Sequence, residues 1–413
     1  MKTVLIVGDS MKQLREKVLE LGYEYVQLRD IRKCKNPEKR LKRRVVCDFS
    51  SHETIDAALD ELRERYSVDG VISTYENYIL QSAYVAEKLW LRGMPISAAE
   101  ACTDKYIMRG LFSKAERKIS PAFKEVHSFA DVREFMQRAH YPVVLKPANL
   151  AKSLLVTKSS NEAELTENYE KTVAAIDAIY KKYAPNRTPK ILIEEFMEGP
   201  VHSVDAFVDE HGVAHVLENV VDYQTGYDIG YDDNFHYSRL LPSKLSFNEI
   251  EDIRQVAALG CEALGMRNSP AHVEIIRTIN GPMIVEIGAR NGGYRERMHG
   301  LANGIDIIKN ALALSFGEPL DIAAKRNDAC AVLELFPKNP GVFIGVNNQE
   351  HLENLPSLAY FATKQPIGSH VGKSSDGYKM CAIIMLHNAD ADVFNTDLAF
   401  VNESVFIKTA DTQ

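Results

Sequence analysis

Residues Ala271 to Arg297, AHVEIIRTINGPMIVEIGARNGGYRER, read as a β-hairpin followed by a glycine-rich turn. In AHVEIIR the side chains of Ala271, Val273 and Ile275 take one face and those of His272, Glu274 and Ile276 the other. In MIVEIGAR, alternation sets Val285 and Ile287 against Glu286, Gly288 and Arg290. A three-residue loop, Ile279-Asn280-Gly281, with Gly281 at positive φ would place Glu274 opposite Glu286. A two-residue Asn-Gly turn would set Glu274 across from Ile287, so the expectation depends on the longer loop. Facing carboxylates repel unless a positive charge stands between them. Mg²⁺ suits that place, because it takes oxygen ligands and shares them with nucleotide phosphates. Arg290, on the same face, could stabilise a phosphoryl group or an oxyanion. Taken alone, the pattern would also suit the solvated outer face of a hairpin.

The 413-residue chain is long enough for two or three domains, and its 45% hydrophobic and 26% charged composition is that of a globular protein. A net charge of −8 argues against bulk nucleic-acid binding. The basic run Arg32 to Arg44 goes against that balance and reads as a solvated loop, with a phosphate or partner patch as the alternative. The six cysteines form no CxxC pair or zinc spacing, which suits a reducing, cytoplasmic setting. The apolar start VLIV is short for a signal peptide, and no apolar run reaches membrane length, so no membrane partner is expected.

Strands and helices alternate over residues 1–100 (KTVLIVG, MKQLREKVLELG, YEYVQLRD, ETIDAALDELRERYS, DGVISTY, NYILQSAYVAEKLWL), which implies a parallel sheet. The first turn, GDSMKQL, lacks the G-x-G-x-x-G of a dinucleotide site. In TDKYIMR, Thr103 or Asp104 can cap a helix that carries Lys105 and Arg109 on neighbouring turns. HYPVVLKP is a buried strand ending in Lys146, a costly place for an unpaired charge, unless the lysine snorkels to the surface. PKILIEEFMEGP is a strand that becomes a turn, able to offer backbone groups to an adenine edge or to be an ordinary edge strand. The stretch Tyr223 to Arg239, rich in aromatics and aspartates, either lines a pocket or forms an aromatic packing patch.

Taken in order, TDKYIMR, YPVVLKP, ILIEEFMEGP, AHVEII and VEIGARNGG resemble the ATP-grasp superfamily, in its carboxylate–amine (L-amino-acid-ligase-like) branch. The resemblance runs from about Asp104 to Gly317. It implies an α/β chain, α+β in the grasp core. Its parts would be an N-terminal parallel α/β domain (1–100), a two-lobed grasp domain (101–320, small lobe about 115–193, large lobe about 194–320) and a small C-terminal domain (321–413). It further implies ATP with Mg²⁺, or Mn²⁺, as cofactors. Lys105 and Lys146 would hold the ATP phosphates under a covering loop around Lys152 and Ser153. Glu194, Glu195, Phe196 and Met197 would form the adenine hinge, Glu274 and Glu286 the metal ligands, and Arg290 the catalytic group at the acyl-phosphate. Arg239, Arg295 and Arg297 are the further candidates for the substrate carboxylate, and Asp232, Asp233 and His236 for the base.

This chain departs from the family pattern at three places, one of them the covering loop around Lys152 and Ser153, which is poor in glycine. Val201 stands where many members place a ribose-binding glutamate, so His202 is expected to take that role as in carboxylase relatives. The second metal motif reads Glu286-Ile-Gly288-Ala-Arg290, without the usual asparagine. The function implied is an ATP-dependent ligase that joins a small-molecule carboxylate to an amine, both of amino-acid type, through an acyl-phosphate. A homodimer is compatible with the resemblance. The rivals are a biotin-carboxylase-like or purine-biosynthesis-like enzyme, which shares the grasp core, and a catalytically inactive nucleotide-binding module.

Overall fold

The computed structural model describes residues 1–34, 42–150, 154–184, 187–231 and 233–411. The expected covering loop with Lys152 and Ser153, the candidate base Asp232 and most of the basic run after Arg32 lie outside the described residues.

The first unit is a parallel sheet in the order β3-β2-β1-β4, formed by β1 (Thr3–Val7), β2 (Glu24–Asp30), β3 (Arg44–Cys47) and β4 (Gly70–Ile72). Both faces are covered, as parallel sheets require. Leu5 and Val7 pack toward α2 (His52–Arg65) and α3 (Ile79–Lys88). Val4 and Ile6 pack toward α1 (Lys12–Glu20) and, from much further along the chain, α10 (Ile307–Phe316). That second contact docks the unit onto the rest of the molecule. After β4 the chain makes a short turn of 3-10 helix, Glu76–Tyr78.

Two short helices, α4 (Ile96–Thr103) and α5 (Lys105–Phe112), lead on. The Asp104 carboxylate accepts from the N–H groups of Tyr106 and Ile107, which fixes where α5 begins. The small lobe is an antiparallel sheet in the order β5-β8-β6-β7, from β5 (Phe123–Val126), β6 (Val143–Pro147), β7 (Thr157–Ser159) and β8 (Ile191–Glu195). Its outer face carries Val143, Leu145, Ile191 and Ile193 against α6 (Phe129–Met136) and α7 (Glu162–Tyr183). The opposite positions Val144, Lys146, Leu192 and Glu194 therefore share the inner face.

The large lobe is built on β9 (Val201–Val208), β10 (Ala214–Val216), β11 (Val221–Thr225), β12 (His236–Leu241), β13 (Ser269–Thr278) and β14 (Gly281–Gly288). These continue without a break into β15 (Ala329–Leu335), β17 (Leu358–Thr363) and β19 (Ala382–Asn388), giving nine strands in one sheet. The C-terminal segment expected to stand apart from residue 321 thus extends this sheet through the pairing of β12 with β15. Within this segment β16 (Gly341–Val346), β18 (His370–Val371) and β20 (Ile407–Ala410) form a separate sheet, with α11 (Gln349–Glu353) and α12 (Ala391–Ser404) packed nearby. One face of the large sheet rests on α8 (Phe247–Ala263), through Val204, Val273, Ile275, Ile284 and Ile287. The other is covered in part by α9 (Arg295–Ala302), whose Met298 and Ala302 meet Val221, Leu241 and Val332. Among the described residues no helix is long and apolar enough to cross a membrane.

The hairpin reaches the expected pairing by a different route. Its loop has two residues, Ile279 and Asn280, since Thr278 already pairs with Gly281. That register alone would bring Val285 opposite Glu274. A bulge after Ile284 takes up one residue, and beyond it Glu274 faces Glu286. The bulge also explains how Ile284 and Ile287, three apart, both reach α8, whereas strict alternation had grouped Val285 with Ile287. Gly281 closes the loop at φ +104°, a conformation unfavourable for any side chain. Replacing Gly281 with alanine is expected to lower the unfolding free energy by about 1–3 kcal/mol, read as a shift of the denaturant midpoint.

Candidate active site between the lobes

The pleat of the large sheet decides which side chains meet. Glu274 is directly opposite Ser203, and His272 opposite Asp205, so these four share one face with Glu286. Tyr223 and Arg239, paired across β11 and β12, belong to it as well. Lys105, at the start of α5, points its Nζ to within 2.8 Å of Glu286 Oε2. Arg290 follows the hairpin, and its Nε stands 3.1 Å from Glu76 Oε2, a carboxylate contributed by the N-terminal unit. The sequence had thus grouped Lys105, Glu274, Glu286 and Arg290, and the fold brings them together.

Charge on this face is unevenly balanced. Lys105 holds Glu286 below the usual carboxylate range, against the opposing effects of burial and of Glu274. Burial would raise Glu274, but His272, His236 and Arg290 outweigh it and hold it well below the usual range. Glu76 is shifted upward, chiefly by burial, despite Arg290 beside it. Burial would likewise depress His272, but Tyr223 and its contacts with Asp205 and Glu274 raise it to about 10. His236 lies against Tyr223 with ring centres 4.1 Å apart and the planes tilted by 41°, and burial shifts it downward.

The small lobe contributes a second charged cluster. Lys146 Nζ lies 2.6 Å from Glu194 Oε2, and the fully buried Arg109 meets the same carboxylate through Nε (3.0 Å) and Nη2 (3.2 Å). Arg109 also donates to the carbonyl of Val285, the bulge residue, at 2.8 Å. The lysine is therefore paired rather than snorkelling. Burial, reinforced by the nearby Arg109 and Lys105, lowers it to about 8 although Glu194 opposes the shift. Glu195 turns to the other side of β8, where Lys118 stands 3.8 Å away. Phe196 lies under Lys158 Nζ at 4.1 Å and donates its backbone N–H to Pro142. Met197 follows in the irregular link to β9.

Four expected residues stand elsewhere. His202 pairs across the sheet with Ile275, a residue of the α8 face, so the pleat turns it away from Glu274 and toward Asp222, 2.8 Å from Nδ1. The ribose role expected of it does not fit that orientation; the carboxylate face carries Val201 instead. Arg295 is wholly enclosed, with Nε 3.2 Å from Asp205 Oδ2 and Nη2 donating to Ser203 Oγ (2.8 Å) and Tyr223 OH (2.7 Å). It is a strut between α9 and the sheet. Arg297 lies over the Tyr360 ring at 4.8 Å, packed against β17. Asp233 is engaged locally, accepting from Tyr237 OH and the Phe235 N–H. Arg239 does lie on the carboxylate face, but Glu334 takes its Nη1 at 2.9 Å, and the rings of Tyr223 and Tyr294 flank it.

Glu76, Asp205 and Glu334 were not foreseen. Asp205 had a signal, because it sits two residues beyond Ser203 on a strand whose alternation was legible. Glu76 and Glu334 had none, since only tertiary packing brings them to Arg290 and Arg239. Replacing Arg295 with methionine should cost about 3–5 kcal/mol of stability, because it leaves Asp205 buried with one cation fewer. Chemical denaturation checks this; an unchanged midpoint with a raised substrate KM would return Arg295 to the substrate.

Residues 139–296 match the family model of the ATP-grasp domain. The chain is 25% identical over 287 residues to the alanine–anticapsin ligase of Bacillus subtilis (strain 168), an alignment covering 67% of this chain and 58% of that protein. It spans 58–61% of the length of the first curated relatives it matches. Its fold is similar to the crystal structure of L-amino acid ligase from Bacillus licheniformis (TM-score 0.79, 18% identity, 100% of this chain and 99% of that one). It is also similar to phosphoribosylglycinamide synthetase from Anaerococcus prevotii (TM-score 0.69, 18% identity, 99% and 100% covered). With lysines from α5 and β6 facing a carboxylate hairpin between two lobes, the chain carries an ATP-grasp domain.

Proposed function

We propose that this protein is an ATP-dependent carboxylate–amine ligase acting on small molecules of the amino-acid class. The observation that carries the reading is the placing of Glu274, Glu286, Lys105 and Arg290 around one point. The names of the ligase relatives support the substrate class.

The donor set fits a hard divalent cation: two carboxylates held below the usual range and facing each other. Glu274 and Glu286 would hold Mg²⁺, or Mn²⁺, which would offset charge on the nucleotide's phosphate oxygens. Lys105 and Lys146 bind those phosphates from the large and small sides of the cleft. The link from Glu194 to Met197 borders the adenine. A substrate carboxylate oxygen attacks the γ-phosphorus, an O–P bond forms, and ADP leaves. Arg290 steadies the resulting acyl-phosphate, for which a planar guanidinium is well shaped. The amine nitrogen then attacks the acyl carbon, the C–O bond breaks, and orthophosphate departs. His236, beside Tyr223 of the carboxylate face and shifted downward by burial, is the group we assign to accept the amine proton.

Turnover should give ADP and orthophosphate, dependent on a suitable carboxylate and raised by the right amine. ³¹P NMR of a reaction mixture decides it: AMP and pyrophosphate would refute the acyl-phosphate route. Phosphorylation of bicarbonate without an amide product would favour a carboxylase-like enzyme, and no turnover with any acid a binding module.

A second expectation concerns pH. Lys146 loses its proton as pH rises through about 8 in the free enzyme, while bound phosphates favour the charged form. ATP affinity should therefore weaken above pH 8, approaching about tenfold per pH unit, and Lys146→Arg should flatten the profile. Equilibrium titration with an ATP analogue between pH 7 and 9.5 measures it.

A further inference from the structure

Behind Glu274 lies a set of polar side chains that the reaction does not touch. Asp205, His272, Arg295, His299 and Asn303 are all buried. His272 Nδ1 meets Asp205 Oδ1 at 2.9 Å, and its Nε2 stands 3.6 Å from Glu274 Oε1 and 3.4 Å from Tyr223 OH. The second oxygen of Asp205 faces Arg295 Nε (3.2 Å) and His299 Nε2 (3.4 Å), while His299 Nδ1 contacts Asn303 Oδ1 at 2.9 Å. Burying so many polar groups is costly, and apolar residues would fill the space at lower cost. The arrangement has a direction: each group restrains the next, and the row ends at the Glu274 carboxylate.

The glycine-rich turn after Arg290 belongs to the same device. A Cβ added at Gly292 would stand 2.4 Å from His272 Nδ1 and 2.7 Å from Arg295 Cγ. The turn therefore lies directly on the imidazole, and only a residue without a side chain leaves the ring where it is.

We infer that His272 is a positioning residue: clamped between Asp205 and the Gly292 backbone, it fixes the Glu274 carboxylate in the orientation in which it takes a divalent cation. The inference rests on the reading of Glu274 as a metal ligand. Outer groups of this kind set the angle at which a ligand is presented, and their loss typically weakens a metal site by 10–100-fold.

Asparagine and glutamine separate the two ring contacts. The amide of His272→Asn falls near Nδ1 and keeps Asp205 but reaches nothing at Glu274. That of His272→Gln falls near Nε2 and reaches Glu274. Mn²⁺ is the probe, titrated by electron paramagnetic resonance into the full-length protein with a non-hydrolysable ATP analogue. His272→Asn is expected to weaken Mn²⁺ binding by about 10–100-fold with little change in thermal midpoint, and His272→Gln to recover most of that loss. Gly292→Ala, which keeps the imidazole but displaces it, should weaken Mn²⁺ in the same direction. A folded His272→Asn protein that binds Mn²⁺ like the wild type overturns the inference, as does equal weakness of the two amide variants. If His272→Asn does not fold, wild-type affinity in Gly292→Ala overturns it. Glu286→Gln separates this from the parent reading. If that variant binds Mn²⁺ as tightly as wild type, the ligand assignment itself fails; if it is weak while His272→Asn is not, only the positioning role fails.

Discussion

The Arg109 guanidinium holds the two halves of the cleft in one frame. It is fully buried, so its charge is tolerable only with a carboxylate and further acceptors in direct contact. One edge takes the Glu194 carboxylate of the small lobe, and a second contact takes the Val285 carbonyl of the hairpin. Glu194 in turn holds Lys146, and Val285 is the bulge that brings Glu286 opposite Glu274. The buried lysine of the small lobe and a carboxylate pair on a different sheet thus share one anchor. In a low-dielectric setting such a network is stiff when complete and costly when broken.

Much of the cleft was legible because strand alternation is a strong constraint. His272 and Glu274 could be assigned to one face of β13 from spacing alone, and the helix carrying Lys105 and Arg109 from its capping aspartate. The family resemblance, carried one residue along from Val201, pointed to His202 for the ribose, but alternation sets His202 on the side opposite the carboxylate-face position Val201. Bulges escape such reasoning, since they insert a residue without a sequence signature. The expected Glu274–Glu286 pairing was reached with a loop one residue too long, an error that the bulge at Val285 offset. Arg295 and Arg297 looked like anion binders because a bidentate guanidinium suits a carboxylate or acyl-phosphate. Burial against Asp205 and packing on Tyr360 are properties of the folded chain alone.

The N-terminal unit is more than a platform. Its strand order, β3-β2-β1-β4, reverses direction between β1 and β4, and at such a point the loops beyond the strand ends diverge and leave a crevice. The segment after β4 carries Glu76 from that edge to Arg290. Residues as far apart in sequence as 76 and 290 therefore meet only when this unit is seated, and α10 packed under the parallel sheet provides the seat. The ion pair of this arginine is in that sense shared between two parts of the chain.

The bulge at Val285 has a consequence for how freely the chain can vary. Thr278, the last paired residue of β13, lies four positions beyond Glu274, roughly 14 Å of strand. The phase of the carboxylates is reset within that distance, at a point gripped by Arg109 and set back from the loop that joins the strands. Ile279, at the tip, is 98% exposed and bears on nothing beneath it. The hairpin end is thus mechanically insulated from the site. It is where this scaffold can accept added length, such as a reporter peptide, without a change of step reaching the charged face.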